Sequence, residues 1–143
     1  MSAIASKINT QSDLYNENYQ SMLKLVEELQ AKYQEALFQG KERHIEKAKA
    51  QGKNTARERI ELLLDEDSPF MELLPLAGIQ GKNSEGGTTS VGGIGLVHGR
   101  LVMVVSNVGT NKGGSVNLAT LNKSMRLGEI AFENDLPFVT MVE

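Results

Sequence analysis

The sequence predicts an α/β fold that follows a helical arm. Twelve of the 14 glycines lie between Gly78 and Gly128, so the composition changes near residue 75. Before that point apolar residues recur at helical spacing, and after it β-like runs alternate with glycine-rich loops and one helix. We therefore divide the chain into a helical region, residues 1–74, and the start of an α/β domain, residues 75–143.

Composition excludes several classes of protein. The 143 residues are 40% apolar, which suffices for one core. The absence of cysteine excludes disulfides and thiolate metal sites, and two distant histidines disfavour a histidine metal site. Few aromatics and a net charge of −3 argue against nucleic acid, and every apolar run is far shorter than the roughly 20 residues of a membrane span. We expect a soluble cytoplasmic protein without a metal.

The first predicted element is a long amphipathic helix. Its apolar side chains recur at steps of three and four residues: Tyr15, Tyr19, Met22, Val26, Leu29, Tyr33 and Leu37. Gly40 is the expected end of this helix. The stripe suits packing within the protein or contact with a partner, and both interpretations stay open.

A second, basic helix is predicted from Lys41 to Gln51, with its end at Gly52. The window 41–59 holds seven Lys and Arg against three Glu, a local charge of +4. Such a run is either a solvated helix face or a binding surface for an anionic ligand, most simply a phosphate.

A short helix and a short strand complete the helical region. Thr55 and Glu58 have the spacing of a capping box, so a helix should follow through Leu64. Its apolar face should comprise three residues: Ile60, Leu63 and Leu64. Residues 70–74 alternate well enough for a strand.

The α/β domain is predicted to begin with a mobile loop, Asn83–Gly87. Gly92–Val97 and Arg100–Asn107 then form two strands joined by His98 and Gly99. Two residues between strands suit a tight hairpin whose turn needs positive φ. His98 is therefore interpreted as a turn residue rather than a general base.

The best local candidate for a site is Lys112-Gly113-Gly114-Ser115, between a strand and a helix. Glycines let backbone N–H groups approach a ligand, the helix dipole favours negative charge, and the lysine adds a positive charge. A phosphate or the oxyanion of a thioester carbonyl would fit. A purely structural strand-to-helix turn is the alternative.

The last predicted elements are a helix over about 116–134 and a strand, Phe138–Val142. One helix face is expected to pack on the sheet: Leu118, Leu121, Met125, Gly128 and Phe132. The continuous apolar strand is typical of a parallel sheet covered on both faces, giving a right-handed βαβ unit. Functional groups lie beyond the carboxyl ends of such strands, so we expect an incomplete domain.

Several segments, in this order, resemble the carboxyltransferase β subunits of biotin-dependent acyl-CoA carboxylases. The segments are Glu42–His44, Gln51–Asp65, Phe70–Leu73, Gly93–Arg100, Lys112–Ser115 and Glu129–Pro137. The Lys112-Gly-Gly run looks most like the methylcrotonyl-CoA type within the methylcrotonyl-CoA and propionyl-CoA carboxylases. Asn54 and residues 107–111 and 115–117 depart from the family's usual pattern.

The resemblance implies a crotonase-like fold of ββα units, of which this chain would hold a helical arm and the start of the acyl-CoA-binding domain. It implies transfer of a carboxyl group from carboxybiotin to a short-chain acyl-CoA. The carboxybiotin would be carried by a partner biotin carboxylase or biotin carrier subunit, and β subunits would form a homo-oligomer. No cofactor is expected on this chain itself, which should be inactive in isolation because the biotin-binding half would be missing.

The resemblance also implies roles for individual residues. Gly113 and Gly114 would donate backbone N–H groups to an oxyanion. The acyl-CoA contacts would come from Lys112, Ser115, Lys53, Arg57 and Arg59. Arg57 and Arg59 could equally be ion-paired to neighbouring helices. Two other hypotheses stay open: a non-catalytic interaction module or remnant that docks on a full-length carboxylase, and a generic phosphate-binding protein.

Overall fold

The computed structural model describes residue 6 and residues 8–79 and 88–143; the predicted loop Asn83–Gly87 lies outside these ranges. The elements in chain order are α1 (Asp13–Ala36), α2 (Glu42–Ala50), α3 (Ala56–Leu63), β1 (Met71–Glu72), β2 (Ser90–Val97), β3 (Arg100–Asn107), a 3-10 turn (Lys112–Gly114), α4 (Leu118–Glu133) and β4 (Phe138–Met141). The chain separates into two compact units, Met1–Lys32 and Tyr33–Glu143. The domain boundary near residue 75 stays a prediction.

The long amphipathic helix is confirmed as α1. Ser12 precedes it, and its hydroxyl accepts the N–H of Tyr15 at 3.2 Å. Each of the seven residues in the predicted apolar stripe is 36% exposed or more. The rings of Tyr15 and Tyr19 stack on each other with centroids 6.3 Å apart. The stripe is therefore regular and accessible to solvent.

The second unit is built on a four-stranded sheet with the order β1-β2-β3-β4. β1 and β3 pair antiparallel with β2, and β4 runs parallel to β3. The predicted hairpin is confirmed: His98 and Gly99 have φ of 50° and 74°. Both turn N–H groups donate to the Asp65 carboxylate, at 2.6 and 2.7 Å. These two bonds lower the pKa of Asp65, and the bond from the Gly99 N–H has the larger effect.

Helices cover both faces of this sheet. On one face, Ala56 and Ile60 of α3 pack with Val102 and Val104, and Leu63 and Leu64 join them. The predicted capping box that starts α3 is confirmed. The Glu58 N–H donates to the Thr55 hydroxyl, and the Thr55 N–H donates to the Glu58 carboxylate. On the other face, Leu127 and Ala131 of α4 pack with Met103 and Val105.

The predicted packing face of α4 is wrong. Phe132 is 86% exposed, and Leu118, Leu121 and Met125 are exposed as well. The side chains that α4 buries are Thr120, Lys123, Leu127 and Ala131. Both sets have helical spacing, and polar groups at the start of β2 favour the second. Thr120 Oγ1 accepts the N–H of Thr89, which directly precedes β2, at 3.1 Å, and Lys123 Nζ donates to the carbonyl of Ser90, the first residue of β2, at 3.0 Å. A Cβ added at Gly128 would meet nothing within 4 Å, so the sheet does not require a glycine at this position of α4.

The prediction that the last strand is covered on both faces is also wrong. Val139 and Met141 of β4 pack toward the α3 face. Phe138 and Thr140, on the opposite face, are exposed among the described residues. The reason is position: among the described strands β4 lies at one edge of the sheet, and α4 covers the inner strands β2 and β3.

Candidate functional site

The glycine loop after β3 has an unusual backbone. Lys112, Gly113 and Gly114 have φ of 48°, 64° and 69°, three consecutive residues in the left-handed region. The Gly114 N–H donates to the Asn111 carbonyl at 2.8 Å. A Cβ on Gly114 would lie 2.9 Å from Nδ2 of Asn107, whereas Gly113 has open space on that side. The loop is therefore a tight turn that presents Gly113 outward.

A groove of about 410 Å³ lies between this loop and the basic helix α2. Its lining residues are His44, Lys47, Ala48, Gln51, Lys53, Gly109, Thr110, Gly113 and Glu143. Gly40 lets the chain pass close to the Thr110 carbonyl, and the Thr110 hydroxyl donates to the Gln39 carbonyl. These contacts fix α2 beside the loop, so the structure brings Lys53 and Gly113 of the candidate residues to one place.

Two cations of this region, Lys53 and Arg59, share one carboxylate. The Glu143 side chain lies 2.9 Å from Lys53 Nζ and 3.6 Å from an Arg59 guanidinium nitrogen. Arg59 also donates to the backbone carbonyl and the side chain of Asn107. An anionic group thus already sits between Lys53 and Arg59. Arg59 is therefore ion-paired, but to a residue after β4 rather than to a neighbouring helix.

Arg57 lies elsewhere. Its guanidinium forms a two-point contact with the Glu72 carboxylate, at 2.9 and 3.1 Å, and donates to the Leu37 carbonyl at 3.1 Å. It lines a different cavity of about 600 Å³, together with Asp65, Glu66 and Asp67. An anion would be repelled by these carboxylates, and the observed pair ties α3 to β1.

Lys112 is the first residue of the turn and Ser115 follows it, and both are exposed. The Ser115 carbonyl accepts the Thr89 hydroxyl at 2.8 Å. That bond anchors the end of the loop to the residue just before β2. The position of the loop is therefore set by β2 and β3 rather than by α4 alone.

Sequence reasoning did not single out the buried charged residue Lys123. Its side chain is 3% exposed, and its ammonium donates to the Ser90 carbonyl at 3.0 Å. Burial lowers the pKa of Lys123 to about 8, while the charge of Glu72 opposes this and that of Arg57 adds to it. The signal that could have found it is its spacing of four residues from Leu127 and eight from Ala131, which places it on the same helix face.

Lys123 makes the stability of this unit depend on pH. Between pH about 8 and 10.5 the unfolded chain keeps a proton that the folded chain has released, so stability should rise with pH by at most about 1.4 kcal/mol per unit. In Lys123→Met this rise should disappear, measured by urea unfolding at a series of pH values. Lys49→Met, on the exposed α2, should keep it; loss of the rise in both variants would contradict the assignment.

Two classes of feature are absent from the part of the chain that the structure describes. Residues 6, 8–79 and 88–143 contain no group of three or more His, Asp or Glu side chains arranged to hold a metal. In the same ranges no helix has the length and apolarity to cross a membrane.

Comparison with known proteins gives one consistent family. Residues 47–143 match the carboxyl transferase domain. The chain is 42% identical over 140 residues to a probable biotin-dependent acyl-coenzyme A carboxylase beta2 subunit of Mycobacterium tuberculosis, covering 98% of this chain and 26% of that protein. It is 41% identical to a probable mitochondrial methylcrotonoyl-CoA carboxylase beta chain of Drosophila melanogaster, covering 96% of this chain and 24% of that one.

A solved structure supports the same family assignment. The chain superposes on the beta subunit of geranyl-CoA carboxylase from P. aeruginosa with a TM-score of 0.83 and 32% identity, covering 99% of this chain and 27% of that one. The predicted crotonase-like α/β class is thereby confirmed, as is the predicted resemblance. The chain spans about a quarter of the length of the relatives it matches. On this evidence, the chain belongs to the carboxyl transferase domain family.

Proposed function

We propose that this chain contributes the acyl-CoA-binding portion of a carboxyltransferase β subunit, which transfers a carboxyl group from carboxybiotin to a short-chain acyl-CoA. The observation that carries the proposal is the groove, which sets Lys47 and Lys53 beside the glycine loop in a member of this family. Coenzyme A is a polyanion through its phosphates, and its thioester carbonyl needs hydrogen-bond donors when negative charge develops on it.

The groove divides these tasks between its two walls. His44, Lys47 and Lys53 on and after α2 would face the phosphates. The turn Lys112–Ser115 would face the thioester, with Lys112 adding positive potential. Gly113 lines the groove, so we assign it the first backbone donor; Gly114 is second because its N–H is already bonded to Asn111. Arg59 would keep Glu143 in place through their ion pair, and Arg57 would do the same for Glu72, so we assign neither arginine a direct contact with the phosphates.

Carboxyl transfer needs more than this chain supplies. The reaction requires carboxybiotin, which we assign to a partner biotin carboxylase or biotin carrier subunit, and other β subunits would complete the oligomer. The chain spans 26% of the length of its M. tuberculosis relative, and the apolar face of α4 is exposed. Both facts support the proposal that transfer takes place only with further segments present. Binding of acyl-CoA is the part of the function that this chain can be tested for.

Isothermal titration with 3-methylcrotonyl-CoA tests the groove directly. Lys53→Ala should weaken binding roughly fivefold to tenfold, because one charge-assisted contact to a phosphate is lost. Glu143→Gln should tighten binding about twofold to fivefold, because the carboxylate that now occupies Lys53 loses its charge. Free phosphate should bind much more weakly than the CoA thioester.

The matched control is Lys49→Ala. Lys49 lies on α2, four residues before Lys53, pairs with Glu58 at 3.2 Å and is outside the groove lining. It changes the net charge by the same amount as Lys53→Ala and should leave the affinity unchanged. Equal effects of the two variants, or no heat at millimolar ligand from a folded sample, would refute the proposal.

The exposed stripe of α1 favours a second candidate function, a non-catalytic module that docks on a full-length carboxylase. Retention of carboxylase subunits on the immobilised chain distinguishes this function from the first. The docking function predicts that the Lys112→Ala variant still captures carboxylase subunits and that the Leu29→Asp variant does not. Capture that is insensitive to Leu29→Asp would refute it.

A further inference from the structure

Thr89, which directly precedes β2, is 2% exposed and has a partner for each of its polar groups. Its carbonyl accepts the Val108 N–H at 2.8 Å, and its N–H donates to the Thr120 hydroxyl at 3.1 Å. Its own hydroxyl donates to the Ser115 carbonyl at 2.8 Å. Thr89 therefore joins the end of β3, the first turn of α4 and the last residue of the glycine turn, Lys112–Ser115.

The partners of the two threonine hydroxyls determine where their protons lie. Each hydroxyl carries one proton. Thr89 uses its proton on the Ser115 carbonyl, so the 3.1 Å contact between the hydroxyls of Thr89 and Thr120 is a donation from Thr120. Thr120 is itself fixed, because its N–H donates to the side chain of Asn117 at 2.8 Å. The bond to Ser115 is therefore backed by a second buried hydroxyl, which polarises and strengthens it.

The bond from Thr89 fixes the orientation of the peptide between Ser115 and Val116. This peptide is trans, so its C=O and N–H point in opposite directions. The Ser115 carbonyl points toward the buried Thr89, and the Val116 N–H consequently points away from the interior. Val116 is 72% exposed, and its N–H has no acceptor among the residues that the structure describes. An unused backbone donor therefore faces outward directly after the glycine turn.

We propose that Thr89 is a positioning residue for acyl-CoA, and that the Val116 N–H, which it orients, binds the thioester carbonyl together with the Gly113 N–H. This inference rests on the proposed function of the groove. Negative charge that develops on a thioester oxygen is stabilised by backbone N–H groups that are fixed in place beforehand. The Gly114 N–H is committed to the Asn111 carbonyl, whereas the Val116 N–H is both fixed and uncommitted.

Thr89→Val tests the positioning step, because valine keeps the shape of threonine and removes its hydroxyl. Isothermal titration is carried out with 3-methylcrotonyl-CoA and with CoA, which has the same phosphates and no acyl carbonyl. Thr89→Val should weaken binding of 3-methylcrotonyl-CoA about threefold to tenfold, the effect of one lost hydrogen bond, and leave the affinity for CoA unchanged. Thr89→Ser keeps the hydroxyl and should bind both ligands like the parent chain.

Thr88→Val is the matched control. Thr88 is 8% exposed, and its hydroxyl donates to the Ser90 carbonyl at 3.1 Å rather than to the glycine turn. The variant makes the same change one residue earlier and should leave both affinities unchanged. A loss of the same size in Thr88→Val and Thr89→Val would mean that any buried hydroxyl here matters equally, and it would overturn the role assigned to Thr89.

Val116→Pro tests the donor without touching the buried network. Proline lacks the N–H, and Ser115 already has the φ of −63° and ψ of 135° that suit a residue before proline. Val116→Pro should reproduce the selective loss of 3-methylcrotonyl-CoA binding, and Val116→Ala, which keeps the N–H, should not. If Val116→Pro bound both ligands like the parent chain, the proposal would be wrong.

Lys53→Ala separates this inference from the function on which it rests. Lys53 is assigned to the phosphates, which the two ligands share, so Lys53→Ala should weaken binding of both. If Lys53→Ala weakened both ligands while Thr89→Val and Val116→Pro caused no selective loss, this inference would fail and the proposed function would stand. If the folded parent chain bound neither ligand, both would fail.

Discussion

Replacing Leu127 by alanine is expected to lower the free energy of unfolding by about 2–5 kcal/mol. Leu127 is 0% exposed and packs with Met103, Val105 and Ala131 between α4 and the sheet. Its side chain also fills the space that a Cβ on Gly92 would occupy. Removal of three carbon atoms would leave a cavity on this face. Urea unfolding followed by circular dichroism measures the loss.

Leu121→Ala is the control for this prediction. It removes the same atoms from the same helix, but Leu121 is 48% exposed and belongs to the face that the sequence predicted to be buried. Its loss should stay below about 1 kcal/mol. Equal losses in the two variants would mean that both faces of α4 are packed, contrary to the structure.

The second large effect is expected at Gly40, where alanine should cost about 3 kcal/mol. Its φ of +117° is strained for any L side chain, which accounts for about 1–2 kcal/mol. A Cβ would also clash with the Thr110 carbonyl oxygen and lie 2.7 Å from the carbonyl carbon. Those atoms are backbone and cannot rotate away, so residues 39–40 would separate from the groove wall. The measurement is again urea unfolding.

Gly128→Ala provides the contrast. Gly128 lies within α4, and an added Cβ would meet nothing within 4 Å. The substitution should therefore stabilise the chain by about 0.5–1 kcal/mol, through the higher helix propensity of alanine. If Gly40→Ala were as stable as the parent chain, the close approach of residue 40 to Thr110 would be wrong.

Local signals predicted most of the elements. The capping box at Thr55 and Glu58 marked the start of α3 within one residue, because both its bonds join groups three residues apart. The His98-Gly99 hairpin was predicted because two residues between two strands leave few turn geometries. The order of motifs also predicted the family, since spacing along the chain survives where single residues vary.

The candidate site was predictable in part. Lys53 and Gly113 were both named from sequence and line one groove. Their neighbour Glu143 was not named, because nothing local pairs residue 143 with residue 53. Arg57 belongs to the same basic run as Lys53, yet the structure pairs it with Glu72 in another place. Charge runs identify cations, and only folding decides which of them have a carboxylate beside them.

The sequence by itself determined the helices, the hairpin, the glycine turn and the family, because each depends on residues a few positions apart or on motif order. The tertiary structure alone decided which stripe of α4 is buried, why Gly40 must be glycine, and which cations remain beside the groove. Those outcomes depend on contacts between residues far apart in the chain. For α4, two stripes of equal helical spacing compete, and Thr89, just before β2, and Ser90, at its start, bond the one that holds Thr120 and Lys123.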